Sequence, residues 1–338
     1  MKNKDYFSFK FESDQLIFID QTKLPLEEVY VHTDNYERIA EAIERLEIRG
    51  APAISITAGY GLALSIKNAT AVSVDNKFYS ALKRLKSTRP TAVNLFKVLD
   101  EVEKYFMQEK QFTNIYQLIL EKVKAIHEED ITFCFRIAHN GLNLFNKKSN
   151  VLTHCNTGKL AAGGDGTAFN IIRYASEHGL VNHVYADETR PLLQGSRLTA
   201  FELYNSDIPF SILTDSSAAF LMAQNKVDLV ITGADRIALN GDTANKIGTY
   251  NLAVLCNYHN IPFYIAAPSS TIDRDIPSGD LIDIEYRNKK EIFEFNGHPI
   301  CSSDFDAFTP AFDVTPSHLI TGIVTEESVF TFPYNFIR

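Results

Sequence analysis

The sequence predicts an α/β protein in which a Rossmann-like domain with a parallel sheet follows a smaller N-terminal domain of short strands and helices. The chain has 338 residues, more than one typical hydrophobic core accommodates, which favours two domains. Short apolar runs and helical spacing dominate its first part, whereas strand and helix patterns alternate regularly from about residue 150. We place the smaller domain at 1–128 and the Rossmann-like domain at 129–338.

Three short apolar runs open the N-terminal domain and predict β-strands. The first two, Tyr6–Phe11 and Leu16–Ile19, suggest a hairpin, and the third is Val29–Val31. Apolar residues then recur at helical spacing in three stretches, within 39–46, 53–66 and 115–126. These patterns predict a small sheet followed mostly by helices.

Strands and helices alternate in the C-terminal domain. Six apolar runs predict its strands: Val151–Thr153, Val184–Ala186, Phe210–Leu213, Leu229–Ile231, Phe263–Ala266 and Leu319–Val324. Three stretches between them have helical spacing: Ala168–Glu177, Arg197–Tyr204 and Tyr250–Tyr258. This alternation is typical of parallel, doubly wound sheets, because each return to the sheet needs a crossover.

Composition and charge limit the classes of function. The formal net charge is −9, so no domain-wide basic surface is available to hold nucleic acid. The first ten residues are polar and charged, and no uncharged apolar run approaches the roughly 20 residues that span a bilayer. Four cysteines without a Cys-x-x-Cys pair are typical of free thiols in a reducing compartment. We therefore expect a cytoplasmic protein with no membrane partner.

Nothing in the sequence demands a metal or a cofactor. The nine histidines are scattered, and no His-x-x-x-His or Glu-x-x-His pair lies on a predicted helix. We therefore expect no metal site and no cofactor.

Polar and reactive residues directly follow the predicted strands. The segments after the first five strands are His154–Asn156, Asp187–Arg190, Thr214–Asp215, Gly233–Arg236 and Ala267–Ser269. The carboxyl ends of parallel strands meet at one edge of the sheet, where open α/β sheets bind their ligands. We interpret this edge as a functional site.

Each of these residues also has a structural interpretation. Cys155 is equally consistent with an inert core thiol, since free cysteines are among the most buried residues. Asp235 could cap a turn, a common task for aspartate. Asp187 and Glu188 could form a solvated acidic pair, with Arg190 as their ion-pair partner. Taken singly, the residues leave both interpretations open.

Four segments offer groups that suit a phosphate. Gly158–Thr167 is a Gly-rich turn before a helix, although it has neither the dinucleotide-binding nor the P-loop spacing. Asn245 and Lys246 are predicted to open a helix, whose dipole attracts anions. Arg49–Pro52 and Arg89–Thr91 precede further helices, and arginine binds phosphate through paired hydrogen bonds. An ordinary turn or surface position is the alternative for each segment.

Seven segments in chain order together resemble a known family. They are Arg49–Ile54, Arg89–Leu95, Leu152–Gly158, Tyr185–Gly195, Gly233–Ile237, Asn240–Tyr250 and Pro310–Pro316. This combination resembles the methylthioribose-1-phosphate isomerases and extends from about Arg49 to Thr325. The same fold serves ribose 1,5-bisphosphate isomerases and the α, β and δ regulatory subunits of translation initiation factor 2B.

The resemblance implies a cofactor-free aldose–ketose isomerase of methionine salvage, acting as a homodimer on a small phosphorylated sugar. It would convert 5-methylthioribose 1-phosphate into 5-methylthioribulose 1-phosphate. By position, Cys155 and Asp235 correspond to the catalytic pair of the family. The positions that correspond to its substrate-binding residues are Arg49, Gly50, Ala51, Arg89, Gln194, Asn245 and Lys246. One departure is Asp165 in the Gly-rich turn, because a carboxylate beside a phosphate is unfavourable unless it points away or meets a base.

The implied reaction needs an acid and a means of moving hydrogen. The phosphate on the anomeric carbon prevents opening as a free hemiacetal, so a proton must reach the ring oxygen. Asp235 in apolar surroundings suits that role, because burial keeps a carboxyl group protonated. Cys155 as a thiolate could take the C2 proton, or it could polarise the site for a hydride shift. The sequence is equally consistent with both routes.

Two other functions fit the same motifs. The protein could isomerise another pentose 1-phosphate, either ribose 1,5-bisphosphate or 5-deoxyribose 1-phosphate. It could also be a non-catalytic regulatory subunit similar to those of initiation factor 2B. The presence of both Cys155 and Asp235 within their motifs favours an enzyme.

Overall fold

The computed structural model describes residues 2–90, 92–295 and 297–336 and has the predicted α/β class. The chain forms two compact units, one of 3–135 with 158–166 and one of 136–157 with 167–336. The units divide after Phe135, within a helix that also contains residue 128. The Gly-rich segment therefore belongs to the first unit, although the residues on either side of it belong to the second.

The first unit contains a small sheet and helices, as the sequence predicted. Its antiparallel strands are β1 (Phe9–Glu12), β2 (Gln15–Ile19) and β3 (Tyr30–Thr33). Its helices are α1 (Tyr36–Glu44), α2 (Ala51–Ser65), α3 (Val74–Lys86), α4 (Val93–Glu109) and most of α5 (Ile115–Gly141). Every residue of α2 from Ala53 to Leu64 is buried, so this helix forms the centre of the core.

The second unit contains most of the strands. They are β4 (Ser149–Thr153), β5 (Val181–Asp187), β6 (Phe210–Leu213), β7 (Leu229–Thr232), β8 (Arg236–Ala238), β9 (Thr243–Lys246), β10 (Phe263–Ala266), β11 (Ile272–Asp273), β12 (Glu294–Phe295), β13 (His298–Pro299), β14 (Phe312–Thr315), β15 (Gly322–Val324) and β16 (Val329–Phe330). Its helices are α6 (Ala168–Glu177), α7 (Ala200–Asn205), α8 (Ala218–Ala223), α9 (Thr249–His259) and α10 (Lys290–Phe293). All six predicted strands are present, but β15 is shorter than predicted because Ser317–Leu319 forms a 3₁₀ turn.

The main sheet has seven strands in the order β16-β15-β10-β7-β4-β5-β6. Neighbouring strands are parallel except for β15 and β16. The chain starts at β4, adds β5 and β6 on one side, and then returns to add β7, β10 and β15 on the other. The order therefore reverses between β4 and β7, which is the topological switch point of the sheet.

Helices cover both faces of the main sheet. Val151 and Ile231 belong to a buried cluster with residues of α6 on one face. Leu152 and Val230 belong to another cluster with residues of α8 and α9 on the opposite face. Burial on both faces explains why consecutive residues of β4 and β7, such as Val151 with Leu152 and Val230 with Ile231, are apolar rather than alternating with polar ones.

Two smaller sheets complete the second unit. One has the order β11-β8-β9-β14, and the other pairs β12 with β13. The four-stranded sheet places Asn245 and Lys246 at the end of β9, paired with β14.

Candidate active site

Cys155 and Asp235 follow the two strands that flank the switch point. Cys155 lies two residues beyond β4, and Asp235 lies between β7 and β8. The two strand ends are directly linked, since the Thr153 hydroxyl donates to the Ile231 carbonyl at 2.9 Å. Gly233 lies against this same turn, because a Cβ at that position would be 2.6 Å from a methyl carbon of Thr157. The structure therefore brings the predicted catalytic pair to neighbouring strand ends, at the place where α/β sheets bind ligands.

The Cys155 turn has an unusual backbone that two threonines hold. Cys155 is 7% exposed and has φ +63°, in the left-handed region that side-chain-bearing residues seldom adopt. Its N–H donates to the Thr189 hydroxyl at 2.8 Å, and its carbonyl accepts from the Thr199 hydroxyl at 2.5 Å. The sequence analysis gave neither threonine a role, although Thr189 lies within the motif Tyr185–Gly195 and Thr199 lies four residues after it. A cysteine that only fills space in a hydrophobic core does not require this backbone conformation.

His154 and Asp187 form a buried pair directly before the thiol. Each side chain is 1% exposed, and His154 Nδ1 lies 2.9 Å from Asp187 Oδ2. His154 Nε2 lies 2.9 Å from the Ile247 carbonyl oxygen. Burial raises the pKa of Asp187, although His154 opposes that rise. Burial lowers the pKa of His154, but the hydrogen bond and the charge of Asp187 outweigh it and the net shift is upward. Asp187 is therefore not the solvated acid that one sequence interpretation allowed.

Backbone hydrogen bonds to the Asp215 carboxylate stabilise the turn after β5. Its two carboxylate oxygens accept the N–H groups of Thr189 and Arg190, both at 2.7 Å. The Arg190 guanidinium donates to the carbonyls of Pro191 and Ile292, a different set of partners from the ion pair that one sequence interpretation allowed.

Three acidic or imidazole groups at this edge lie close enough to be compared with a metal site. Donor atoms of His154, Asp187 and Asp215 lie within 4.8 Å of one another. The Asp215 oxygens accept backbone N–H groups, and Asp187 Oδ2 and His154 Nδ1 are bonded to each other. The hydrogen bonds of this cluster thus account for its geometry.

Gln194 lies at the start of a π-helical segment, Gly195–Thr199, that precedes α7. Its side chain is buried, at 4% exposure. Position 195 requires glycine, because a Cβ there would be 1.6 Å from the Asp187 carbonyl oxygen. The close approach places Gln194 next to the end of β5. The predicted helix Arg197–Tyr204 is therefore a π-helical turn followed by the short α7.

Asn245 and Lys246 are not at a helix start, and this prediction is wrong. They end β9, and α9 begins at Thr249 after Gly248, whose φ is +105°. The Lys246 ammonium donates to the Ala311 carbonyl at 2.9 Å, and the Asn245 amide donates to the Thr249 hydroxyl at 2.9 Å.

The N-terminus of α9 already has an anionic partner. Asp313 accepts the N–H of Gly248 at 2.7 Å and the N–H of Tyr250 at 3.0 Å. The local Asn-Lys pattern was misleading because the pairing of β9 with β14 is a contact between distant parts of the chain. A phosphate near Lys246 would therefore meet the side chains of β9 rather than the dipole of α9.

The remaining predicted residues lie in the first unit. Arg49, Gly50 and Ala51 surround the start of α2, and Gly50 is its N-cap with φ +97°. A Cβ on Gly50 would be 2.3 Å from the Ala161 carbonyl oxygen, so only glycine allows this approach to the Gly-rich segment. Arg89 is partly buried and precedes α4, whereas Thr91 of the same motif lies outside the described residues.

A carboxylate on helix α5 already accepts hydrogen bonds from the Gly-rich segment 158–166. Asp130 on α5 accepts the N–H groups of Gly163 and Gly164 at 2.7 and 3.3 Å. Asp165 meets a base, since its carboxylate lies 3.3 Å from the Lys159 ammonium. Two of the N–H groups suggested for phosphate binding are therefore used within the protein. Asp130 escaped the sequence reasoning because an aspartate on a long helix gives no local signal of its partner.

The model of the initiation factor 2 subunit family matches residues 47–332, which include every predicted site residue. The chain belongs to this family.

A curated methylthioribose-1-phosphate isomerase from Caldicellulosiruptor saccharolyticus is 49% identical over 329 residues, with 96% of each chain covered. The crystal structure of 5-methylthioribose 1-phosphate isomerase from Pyrococcus horikoshii OT3 has a TM-score of 0.92 and 39% identity, over 98% of this chain and 97% of that one. A structure described as the delta subunit of translation initiation factor eIF-2B from A. fulgidus has a TM-score of 0.87 and 37% identity, over the same shares. In the described part of the chain, no helix is long and apolar enough to cross a membrane.

Proposed function

We propose that this member of the initiation factor 2 subunit family converts 5-methylthioribose 1-phosphate into 5-methylthioribulose 1-phosphate, a step of methionine salvage. The isomerases named above are similar to the chain over nearly its whole length. The observation that carries the proposal is the position of Cys155 and Asp235 after β4 and β7, the strands that flank the switch point. A regulatory subunit has no need of a thiol and a carboxyl group at this place.

Asp235 acts as the general acid in this proposal. The ring oxygen of the sugar must gain a proton when the ring opens, because the anomeric oxygen is esterified with phosphate. Asp235 is half-buried, and its N–H donates to the Ala244 carbonyl at 2.9 Å, which fixes the backbone beside the switch point. A carboxyl group positioned at this place can donate a proton as a general acid.

Cys155 handles the hydrogen that moves from C2 to C1. In one route its thiolate takes the C2 proton as the bond between C1 and the ring oxygen breaks, and then returns that proton to C1. In both routes the Asp235 carboxylate, which has given its proton to the ring oxygen, takes the proton of the C2 hydroxyl, so that C2 becomes the ketone carbon. In the other route the hydrogen moves from C2 to C1 as a hydride, and the buried Cys155 polarises the surroundings. The 7% exposure of Cys155 suits both routes, because exclusion of water strengthens electrostatic effects and prevents loss of the proton.

Seven residues are proposed to bind the phosphate and the sugar hydroxyls. In the second unit Gln194, Asn245 and Lys246 are the proposed binding residues. In the first unit the proposed residues are Arg49 and Arg89, with the backbone of Gly50 and Ala51.

A regulatory role is the second candidate, and one observation favours it. The A. fulgidus structure described as an eIF-2B delta subunit is 37% identical to the chain. Overall similarity therefore does not separate the two functions, and a test on individual residues is needed.

Substitution of the two proposed catalytic groups tests the function. Cys155→Ser and Asp235→Asn should each fold normally and lower kcat for 5-methylthioribose 1-phosphate by at least roughly 100-fold, the usual scale for a positioned acid or base. Cys256→Ser is the matched control, because Cys256 is a buried thiol on α9, and it should retain kcat. Near-wild-type kcat in either test variant would remove that residue from the mechanism. A stable hetero-oligomer without isomerase activity would favour the regulatory role.

We also propose that the protein is a cytoplasmic homodimer. All four cysteines are free thiols, which suits a reducing compartment. Detection of the protein in the cytoplasmic fraction of its cells checks the location, and an extracellular location would contradict it.

A further inference from the structure

The hydrogen bonds of His154 and Asp187 restrict where their protons can be. His154 Nε2 lies 2.9 Å from the Ile247 carbonyl oxygen, which can only accept. Nε2 must therefore carry a hydrogen. On the other side, Nδ1 faces Asp187 Oδ2 at 2.9 Å, so one further proton lies between these two atoms. The pair is either an imidazolium with a carboxylate or a neutral imidazole with a carboxylic acid.

The surroundings of the second oxygen of Asp187 show which of these two states is favoured. Asp187 Oδ1 is buried and has no hydrogen-bond partner among the described residues. A carboxylate spreads its charge over both oxygens, so an unpaired buried oxygen would carry much of that charge. In a carboxylic acid that donates through Oδ2, the same oxygen is an uncharged carbonyl, which costs far less to leave unpaired.

Neighbouring charges act on both members of the pair. The carboxylates of Asp215 and Glu188 disfavour a negative charge on Asp187. Asp215 also favours retention of a proton by His154, and Asp313 at the start of α9 faces His154 as well. Lys246 is a cation near Asp313. These carboxylates keep one proton on the pair, and the unpaired Oδ1 places that proton on Asp187.

The imidazole also fixes the distance between two parts of the site. His154 precedes Cys155, and Ile247 directly follows Lys246. A Cβ on Gly248 would be 2.8 Å from His154 Cε1, so the ring is packed against the turn before α9. The ring therefore connects the Cys155 turn to the segment that carries Asn245 and Lys246.

We propose that Asp187 is a neutral carboxylic acid that holds His154 as its neutral Nε2–H tautomer, and that this pair positions the Cys155 turn against the Asn245–Lys246 segment. His154 and Asp187 are positioning residues, and His154 supplies no positive charge to the adjacent thiol. The effect on catalysis rests on the proposed isomerase activity, whereas the tautomer does not.

Asparagine distinguishes the two protonation states. In Asp187→Asn, the amide N–H can donate to Nδ1 as the acid does, and the amide oxygen can take the place of Oδ1. Asp187→Asn should therefore keep kcat within about threefold of wild type, whereas Asp187→Ala removes the donor and should lower kcat by about tenfold or more. If Asp187→Asn is as impaired as Asp187→Ala, the neutral acid is wrong.

Nitrogen NMR of histidine-labelled protein measures the tautomer without substrate. The nine histidines give a small set of signals, and His154→Gln identifies the one that belongs to His154. At pH 7, wild type and Asp187→Asn should both show one protonated and one unprotonated ring nitrogen. Two protonated nitrogens in wild type would overturn the proposal. If wild type lacks isomerase activity but shows the neutral tautomer, the proposed function fails and the protonation state stands.

Discussion

Cys155 presents its thiol from a backbone conformation that L-residues seldom adopt. Thr189 and Leu193 in the adjoining turn also have positive φ, at +63° and +59°. Each such residue costs about 1–3 kcal/mol, and a β-branched threonine is a clear outlier. Strain of this kind persists where surrounding hydrogen bonds determine the conformation, and it gathers at functional sites. The turns beside β4 and β5 therefore support a catalytic interpretation of Cys155.

At this scale the sequence predicted side chains better than their surroundings. Cys155, Asp187 and Asp235 were located because each follows an apolar strand run. The hydrogen bond from Thr199 to the Cys155 carbonyl and the capping of helix α9 by Asp313 were not predicted, because each joins residues far apart in the chain. A residue's neighbours along the chain do not reveal such partners.

The predicted strands and helices are those with a strong periodic pattern. The central strands β7 and β10 are nearly continuous apolar runs because both of their faces are covered, and that pattern is visible in the sequence. The short strands β8, β9, β11 and β14 are stabilised by pairing with one another, and their sequences have no such run. The π-helical segment 195–199 likewise depends on its close approach to Asp187 rather than on local propensity.

The stability contributed by Asp130, which joins helix α5 to the Gly-rich segment 158–166, should depend on pH. Burial raises the pKa of Asp130, and the N–H groups of Gly163 and Gly164 oppose that shift. A raised pKa in the folded state means that the stability from Asp130 is complete below its unfolded pKa of about 3.9 and is lost as pH rises through the folded value. We therefore expect wild type to lose stability relative to Asp130→Asn as pH increases from 4 to 7.

Urea unfolding at several pH values measures this difference. Asp130→Ala is the comparison variant, because it leaves the two glycine N–H groups without an acceptor. It should be less stable than Asp130→Asn by about 1–3 kcal/mol throughout. A wild-type protein that gains stability over Asp130→Asn between pH 4 and 7 would show that the charged carboxylate stabilises the segment.

At the scale of the whole molecule, helices α8 and α9 suit contact with a second copy. Neither helix contains Asp, Glu, Lys or Arg, and Phe220, Val254 and Tyr258 are 67%, 42% and 79% exposed. In a two-fold interface a side chain lies near its own copy, so an uncharged surface avoids repulsion between like charges. We propose this α8–α9 surface as the interface of the homodimer.

Tyr258→Glu tests the interface. Sedimentation should show a particle of two 38.0 kDa chains for wild type and of one chain for the variant, because two buried carboxylates would face each other. Tyr286→Glu is the control, since Tyr286 is 62% exposed and lies outside both helices, and it should remain dimeric. A monomeric wild type, or a dimeric Tyr258→Glu, would rule out this surface.

The arrangement of the whole chain was only partly predictable. The order of strands along the chain follows from the alternating pattern, and this pattern implies a doubly wound sheet. That pattern does not reveal that segment 158–166 belongs to the first compact unit, because Gly50, Asp130 and their partners meet it from distant positions.

Isomerisation of 5-methylthioribose 1-phosphate is the activity that we propose for the protein. The most direct measurement compares this sugar with 5-deoxyribose 1-phosphate and ribose 1,5-bisphosphate at matched concentrations, without added cofactor. We expect the methylthio sugar to give the highest kcat/KM for ketose formation among the three sugars. Conversion of none of the three sugars, or a clear preference for the bisphosphate, would contradict the claim.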